Sequence, residues 1–85
     1  MRLGFEKAAL KALDRMPAKR AAAIVAALET VARDPFARHA NVKRLVGAKD
    51  GFRLRHGDCR ALYYVARATD EMAVVNVKTR GDAFR

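Results

Sequence analysis

The sequence predicts an α+β fold, with two helices packed on one face of a sheet. Apolar residues recur at helical spacing from about residue 6 to residue 33, and then at a spacing of two from residue 52 onward. An Asp34-Pro35 step closes the helical regime, so helices and strands come in blocks instead of alternating. The expected order is a short N-terminal strand, a two-helix hairpin and a three-stranded antiparallel meander, within a single domain over residues 1–85.

Each element has its own warrant. Arg2-Leu3-Gly4-Phe5 alternates, with Leu3 and Phe5 directed inward, and reads as the first strand. Glu6 to about Arg15 is helical in composition and places an acid in the first turn, where the helix dipole favours it. Pro17 interrupts that helix and suits the first position of a second. The second helix, roughly residues 17–33, sets Ile24, Leu28 and Val31 on one face, flanked by Ala21, Val25 and Ala32. Asp34-Pro35 stops it, because a residue before proline is pushed out of the helical region. Residues 35–50 read as a loop. Three strand-like segments follow, divided by Gly57-Asp58 and by Ala68-Thr69-Asp70.

Composition bounds the function. Apolar residues make up 52% of the chain, but 18 of the 85 residues are alanine, so the core is modest. A bound partner would add to the stability of so small a domain. The net charge of +9 favours polyanions: nucleic acid, an anionic membrane surface or an acidic protein. No apolar run approaches the roughly 18 residues that span a bilayer, and none resembles a secretory signal. One cysteine excludes an internal disulfide framework and suits a reducing, cytoplasmic compartment. The chain contains no serine, which excludes a Ser-His-Asp hydrolase. His39, His56 and Cys59 fall short of an ordinary four-ligand zinc site, and no glycine-rich phosphate loop is present, so neither metal nor cofactor is expected.

The charge has a pattern. If Gly57-Asp58 is a two-residue hairpin turn, counting outward opposes His56 to Cys59, Arg55 to Arg60, Leu54 to Ala61 and Arg53 to Leu62. Opposed residues share a side of the sheet. Arg53, Arg55 and Arg60 therefore converge on one face, and Phe52, Leu54, Ala61, Tyr63 and Val65 form the face that receives the helices. A symmetric turn around Thr69-Asp70 adds Leu62, Tyr64, Val75 and Val77 to the arginine face, as an apolar end. Opposed Arg55 and Arg60 repel, at a cost of a few tenths to about 1 kcal/mol. An anion bound between them would relieve that repulsion; a merely solvated basic face is the alternative.

These residues carry a resemblance. The helical hairpin ending in Asp34-Pro35, then Leu45, Gly47, Phe52, Arg53, Leu54, Arg55, Gly57, Asp58, Arg60 and Tyr63, and then residues 80–84, resemble the RelE/ParE superfamily of type II toxins, in particular its RelE-like branch. The likeness covers nearly the whole chain. It implies an mRNA interferase: an endoribonuclease that enters the ribosomal A site, cuts the codon there by metal-independent attack of the 2′-hydroxyl, and so stops translation.

By the same resemblance Arg53, Arg55, Arg60 and Arg80 are the catalytic candidates. Arg60 corresponds to the arginine on the scissile phosphate, and Arg80 to the one that stabilises charge and helps the leaving 5′-oxygen. Lys43, Arg44, Phe84 and Arg85 are RNA-binding candidates. Four positions depart from the family pattern. Arginines occupy the alternating positions where some members carry lysines. Phe84 stands for a common tyrosine, and Thr79 for a common histidine. The resemblance also implies a cognate acidic antitoxin; the apolar end of the arginine face (Leu62, Tyr64, Val75 and Val77) and the groove between the two helices are its two docking candidates. The alternatives are a ParE-like inhibitor of DNA gyrase and a non-catalytic RNA-binding member.

Overall fold

The chain starts with a four-residue strand, β1 (Arg2–Phe5), followed by helices α1 (Lys7–Asp14) and α2 (Ala18–Arg33). Strands β2 (Val42–Arg44), β3 (Gly51–His56), β4 (Cys59–Ala66) and β5 (Glu71–Thr79) complete the computed structural model, which describes residues 1–79. The five strands form one mixed sheet in the order β1-β5-β4-β3-β2. β1 lies parallel to β5, and the other neighbours are antiparallel. The helices therefore form the crossover between β1 and the rest of the sheet.

Local chemistry explains the helix ends. Pro17 sits just before α2 as its N-cap, one place earlier than the first-turn position read from sequence. Asp34 closes α2 in a non-helical conformation (φ −150°, ψ 79°), in line with the bias of a residue before proline against the helical region. Ile24, Leu28, Val31 and Ala32 are the buried residues of α2, and Ala9 is the buried residue of α1. They close over a sheet face made of Leu54, Ala61, Tyr63, Val65, Met72, Val74 and Val77.

The structure adds a strand inside the expected 35–50 loop. Val42, Lys43 and Arg44 pair with Leu54, Arg53 and Phe52. Gly47 (φ 78°) and Asp50 (φ 57°) adopt left-handed backbone, which turns the chain back within a few residues. The Leu45 N–H then donates to the Gly51 carbonyl (2.9 Å), and the Arg55 N–H to the Asn41 carbonyl (2.8 Å). Three residues with a single apolar side chain carry no period-two signal, so backbone pairing alone defines β2.

The β3–β4 hairpin has the register counted from its turn, from His56 opposite Cys59 to Phe52 opposite Tyr63. Gly57 takes φ 61° at the first turn position, a glycine-first turn that matches strand twist. The β4–β5 register differs from the symmetric expectation. The turn occupies four residues, 67–70, and a bulge falls where Leu62 pairs with Asn76 but Tyr63 pairs with Val74. Val75 is skipped. The bulge sends Val77 to the helix side, opposite Ala61 and only 4% exposed, so it is a core residue and not part of the arginine face. Just past the bulge, the Val77 N–H donates to Asn76 Oδ1 (2.8 Å).

Tyr63 stands at the centre of the core, fully buried, its ring stacked on Phe52 at 5.4 Å and 16°. Its hydroxyl finds no hydrogen-bond partner among the described residues. Burial pushes its pKa up to about 12 from the ordinary 10. The phenol therefore stays neutral in the folded chain while the unfolded chain ionises near pH 10. Stability is full below pH 10 and falls as pH rises from 10 towards 12. Tyr63→Phe is expected to remove that alkaline loss. At pH 7 it should hold or raise stability by about 1 kcal/mol, since an unsatisfied buried hydroxyl is deleted. Urea unfolding of both proteins at pH 7 and pH 11 measures both effects.

Candidate anion-binding face

The side of the sheet away from the helices carries the basic residues in two rows. Across the strands, Lys43 opposes Arg53, Arg53 opposes Leu62, and Leu62 opposes Asn76. In the next row Arg55 opposes Arg60, and Arg60 opposes Lys78. Five cations thus share one end of the face. Lys43, Arg53, Arg55 and Arg60 line a concavity of about 100 Å3 together with Ala40 and Asn41. Arg53 and Arg60 are half-buried, while Arg55, Lys43 and Lys78 are exposed.

Among the described residues no carboxylate forms an ion pair with Lys43, Arg53, Arg55 or Lys78. Asp58, in the adjoining turn, is held by Arg20 of α2 at 2.9 Å. That half-exposed ion pair also ties the hairpin end to the helices, at about 0.2–1 kcal/mol. Glu71 lies on the same face but at the far end of β5, 3.6 Å from Arg2. Between the two ends lie Leu62, Tyr64 and Ala73. Tyr64 is 39% exposed, and a Cβ at Gly51 would come within 2.8 Å of its ring, so a larger residue there would displace the ring.

Of the residues singled out from the sequence, Arg53, Arg55, Arg60 and Lys43 meet around the concavity. Arg44 opposes Phe52 and stands 6.0 Å over its ring, so it belongs to the other side of the sheet. Leu62 and Tyr64 share the arginine side, Val75 sits at the bulge, and Val77 is in the core. Arg80, Phe84 and Arg85 lie outside the described residues. Lys78 is the residue that sequence reasoning missed: a symmetric β4–β5 register turns it to the wrong side.

Neither histidine nor the cysteine enters the cluster. His56 is exposed at the hairpin end, opposite Cys59. His39 donates to the Asp34 carbonyl (2.8 Å) and so ties down the loop after α2. The Cys59 thiol is buried and lies 3.6 Å from Asp58 Oδ1. Burial first, and the Asp58 charge second, raise its pKa, so it stays a protonated thiol and a poor nucleophile. The face can hold a tetrahedral anion and stabilise added charge on it.

No protein-family model and no curated protein matches the sequence. Solved structures do. A RelE–RelB complex from Pyrococcus horikoshii is 26% identical with a TM-score of 0.78, covering 94% of this chain and 94% of that one. A RelBE toxin–antitoxin complex from Mycobacterium tuberculosis is 25% identical with a TM-score of 0.76, covering 93% and 96%. By fold the chain belongs to the RelE/ParE toxin superfamily. The isolated RelE toxin of Escherichia coli superposes as well, with a TM-score of 0.79 at 22% identity over 92% of this chain and 82% of its own.

In this RelE-like sheet the two alternating β3 positions are both arginine. Arginine stays protonated at any physiological pH and offers a planar fork of donors, which fits two oxygens of one phosphate. Two such forks on one strand can hold an anion by charge and geometry, and neither can accept a proton. No helix among the described residues is long and apolar enough to cross a membrane.

Proposed function

We infer that the chain is the toxin of a type II toxin–antitoxin pair and acts as an endoribonuclease on mRNA in the ribosomal A site. The observation that carries this reading is the cationic concavity of Lys43, Arg53, Arg55 and Arg60, with Lys78 extending its second row. Stability alone would not set Arg55 against Arg60. A phosphate between them turns that repulsion into binding.

The reaction that such a face assists is internal transesterification. The 2′-oxygen forms a bond to the adjacent phosphorus, and the bond from phosphorus to the 5′-oxygen breaks. The products are a 2′,3′-cyclic phosphate and a 5′-hydroxyl, so the proton lost from the 2′-hydroxyl balances the one gained by the leaving oxygen. Negative charge grows on the non-bridging oxygens in between. Guanidinium groups fixed beside them stabilise that charge more than they stabilise the ground state.

The +9 charge also fits an acidic antitoxin, and the half-buried Leu62 with the exposed Tyr64 gives it apolar contact beside the cations. Purified protein added to ribosomes programmed with a defined mRNA should cut that message at the A-site codon, read by primer extension. Absence of cuts would overturn the reading. Inhibition of gyrase supercoiling instead, surviving replacement of Arg53, Arg55 and Arg60, would assign the chain to the ParE-like alternative. RNA binding that weakens steeply with salt, without cleavage, would assign it to the non-catalytic one.

A further inference from the structure

A second concavity, of about 710 Å3, lies beside the arginine face, bounded by the loop after α2, by β2, by Phe52 and by Arg67 of the β4–β5 turn. Its walls interleave cations with aromatic rings. Phe36 is 50% exposed, and the Arg67 guanidinium lies 4.2 Å from its ring centroid. Arg67 is also 3.5 Å from Asp50 Oδ1, which fixes the guanidinium against the ring. Arg44 stands over Phe52 at 6.0 Å, and Arg38 and Lys43 add charge. No carboxylate lines this concavity among the described residues.

The two concavities share Ala40 and Lys43 in their linings. They are the two sides of β2, a three-residue strand at the edge of the sheet. A ligand leaving the arginine face therefore has to cross only one short strand, past Lys43, to reach Phe36.

We propose that this concavity is a binding subsite for an unpaired RNA base and its neighbouring phosphate, taken from the same RNA strand whose scissile phosphate sits on the arginine face. The inference rests on the RNA reading of that face. A half-exposed phenyl ring beside guanidinium planes offers flat π surfaces on which any base can stack, and the surrounding cations take the backbone. An acidic peptide would use the guanidinium edges but gain nothing from the rings. A polyanion already anchored at Arg53, Arg55 and Arg60 reaches the second site at high effective concentration. The subsite also gives Arg44 a role that the arginine face cannot.

Fluorescence anisotropy with 2′-O-methyl RNA, which lacks the nucleophile and stays intact, tests this. Wild-type protein should bind a ten-nucleotide strand on the order of tenfold tighter than a three-nucleotide strand, the advantage expected from about one stacked base. Phe36→Ala with Arg38→Ala should shrink that ratio to about twofold, and Phe36→Trp with Arg38 retained should restore it. Far-UV circular dichroism confirms that the variants fold. A wild-type ratio in the double variant overturns the subsite. So does a loss of affinity confined to a poly-glutamate peptide, which would assign the concavity to an acidic protein. Cuts on programmed ribosomes without any length advantage overturn the subsite and leave the cleavage reading standing. A length advantage that depends on Phe36, without cuts, does the reverse.

Discussion

Arg55→Ala is expected to lower A-site cleavage about 100-fold without lowering the thermal midpoint of the protein. The two halves of that result come from one contact. Arg55 and Arg60 oppose each other directly across β3 and β4, with Lys78 next in the row. Deleting one guanidinium removes a donor from the charge-stabilising set, which costs about 3 kcal/mol of transition-state stabilisation. It also removes a like-charge cross-strand pair, which returns a few tenths to about 1 kcal/mol to the folded state. Arg55 is exposed and forms no ion pair with any described residue, so nothing else is lost with it. Inorganic phosphate should raise the midpoint of the wild type and raise that of Arg55→Ala less, because only a bound anion links to folding. Arg60→Ala should cost cleavage as much. Arg60→Lys should recover only part of it, since a point charge cannot grip two oxygens at once. Equal cleavage by Arg55→Ala and wild type would return the face to a solvated basic strand.

Much of this face was legible because a two-residue turn leaves no freedom. Once Gly57-Asp58 is the turn, every pair from His56–Cys59 outward follows, and with it the side on which Arg53, Arg55 and Arg60 lie. The helices were equally legible, since Ile24, Leu28 and Val31 recur at helical spacing and Asp34-Pro35 ends the run. β2 was hidden for a physical reason. Its three residues have one apolar side chain among them, and what makes them a strand is the free backbone edge of β3 and the left-handed turn at Gly47 and Asp50. The stacking of Arg67 on Phe36 was hidden too, because it joins a loop after α2 to a turn 31 positions later, and nothing local requires it.

A symmetric β4–β5 turn gives the wrong register for β5, although the sequence carries the signal of the bulge. Met72 and Val74 are apolar at even positions, then Val75 and Val77 are apolar at odd ones, while Asn76 and Lys78 are polar. That change of parity is the mark of a bulge. Read that way, it places Lys78 beside Arg60 and takes Val77 off the docking surface, as the pairing shows.

The bulge makes two neighbouring valines behave in opposite ways. Val77→Lys puts an ammonium group where only 4% of the residue is exposed, opposite Ala61 in the core with Val74 and Met72 on the same side of β5. Among the described residues no carboxylate is buried to pair with it. An unpaired buried charge costs several kcal/mol even after relaxation. The total stability of a chain this short is only about 4–13 kcal/mol. Val77→Lys is therefore expected to abolish the cooperative urea transition or to lower its midpoint severely. Val75→Lys, at the skipped position of a bulge and half-buried, should cost about 1 kcal/mol or less. If the symmetric register held, both residues would stand on the open face, and both variants would fold like the wild type. Val77→Lys with a wild-type transition would thus overturn the bulge, and with it the place of Lys78 beside Arg60. The same pair separates docking from folding. Weaker antitoxin binding by a folded Val75→Lys protein reports on the surface, whereas any weakening in Val77→Lys reports on the core.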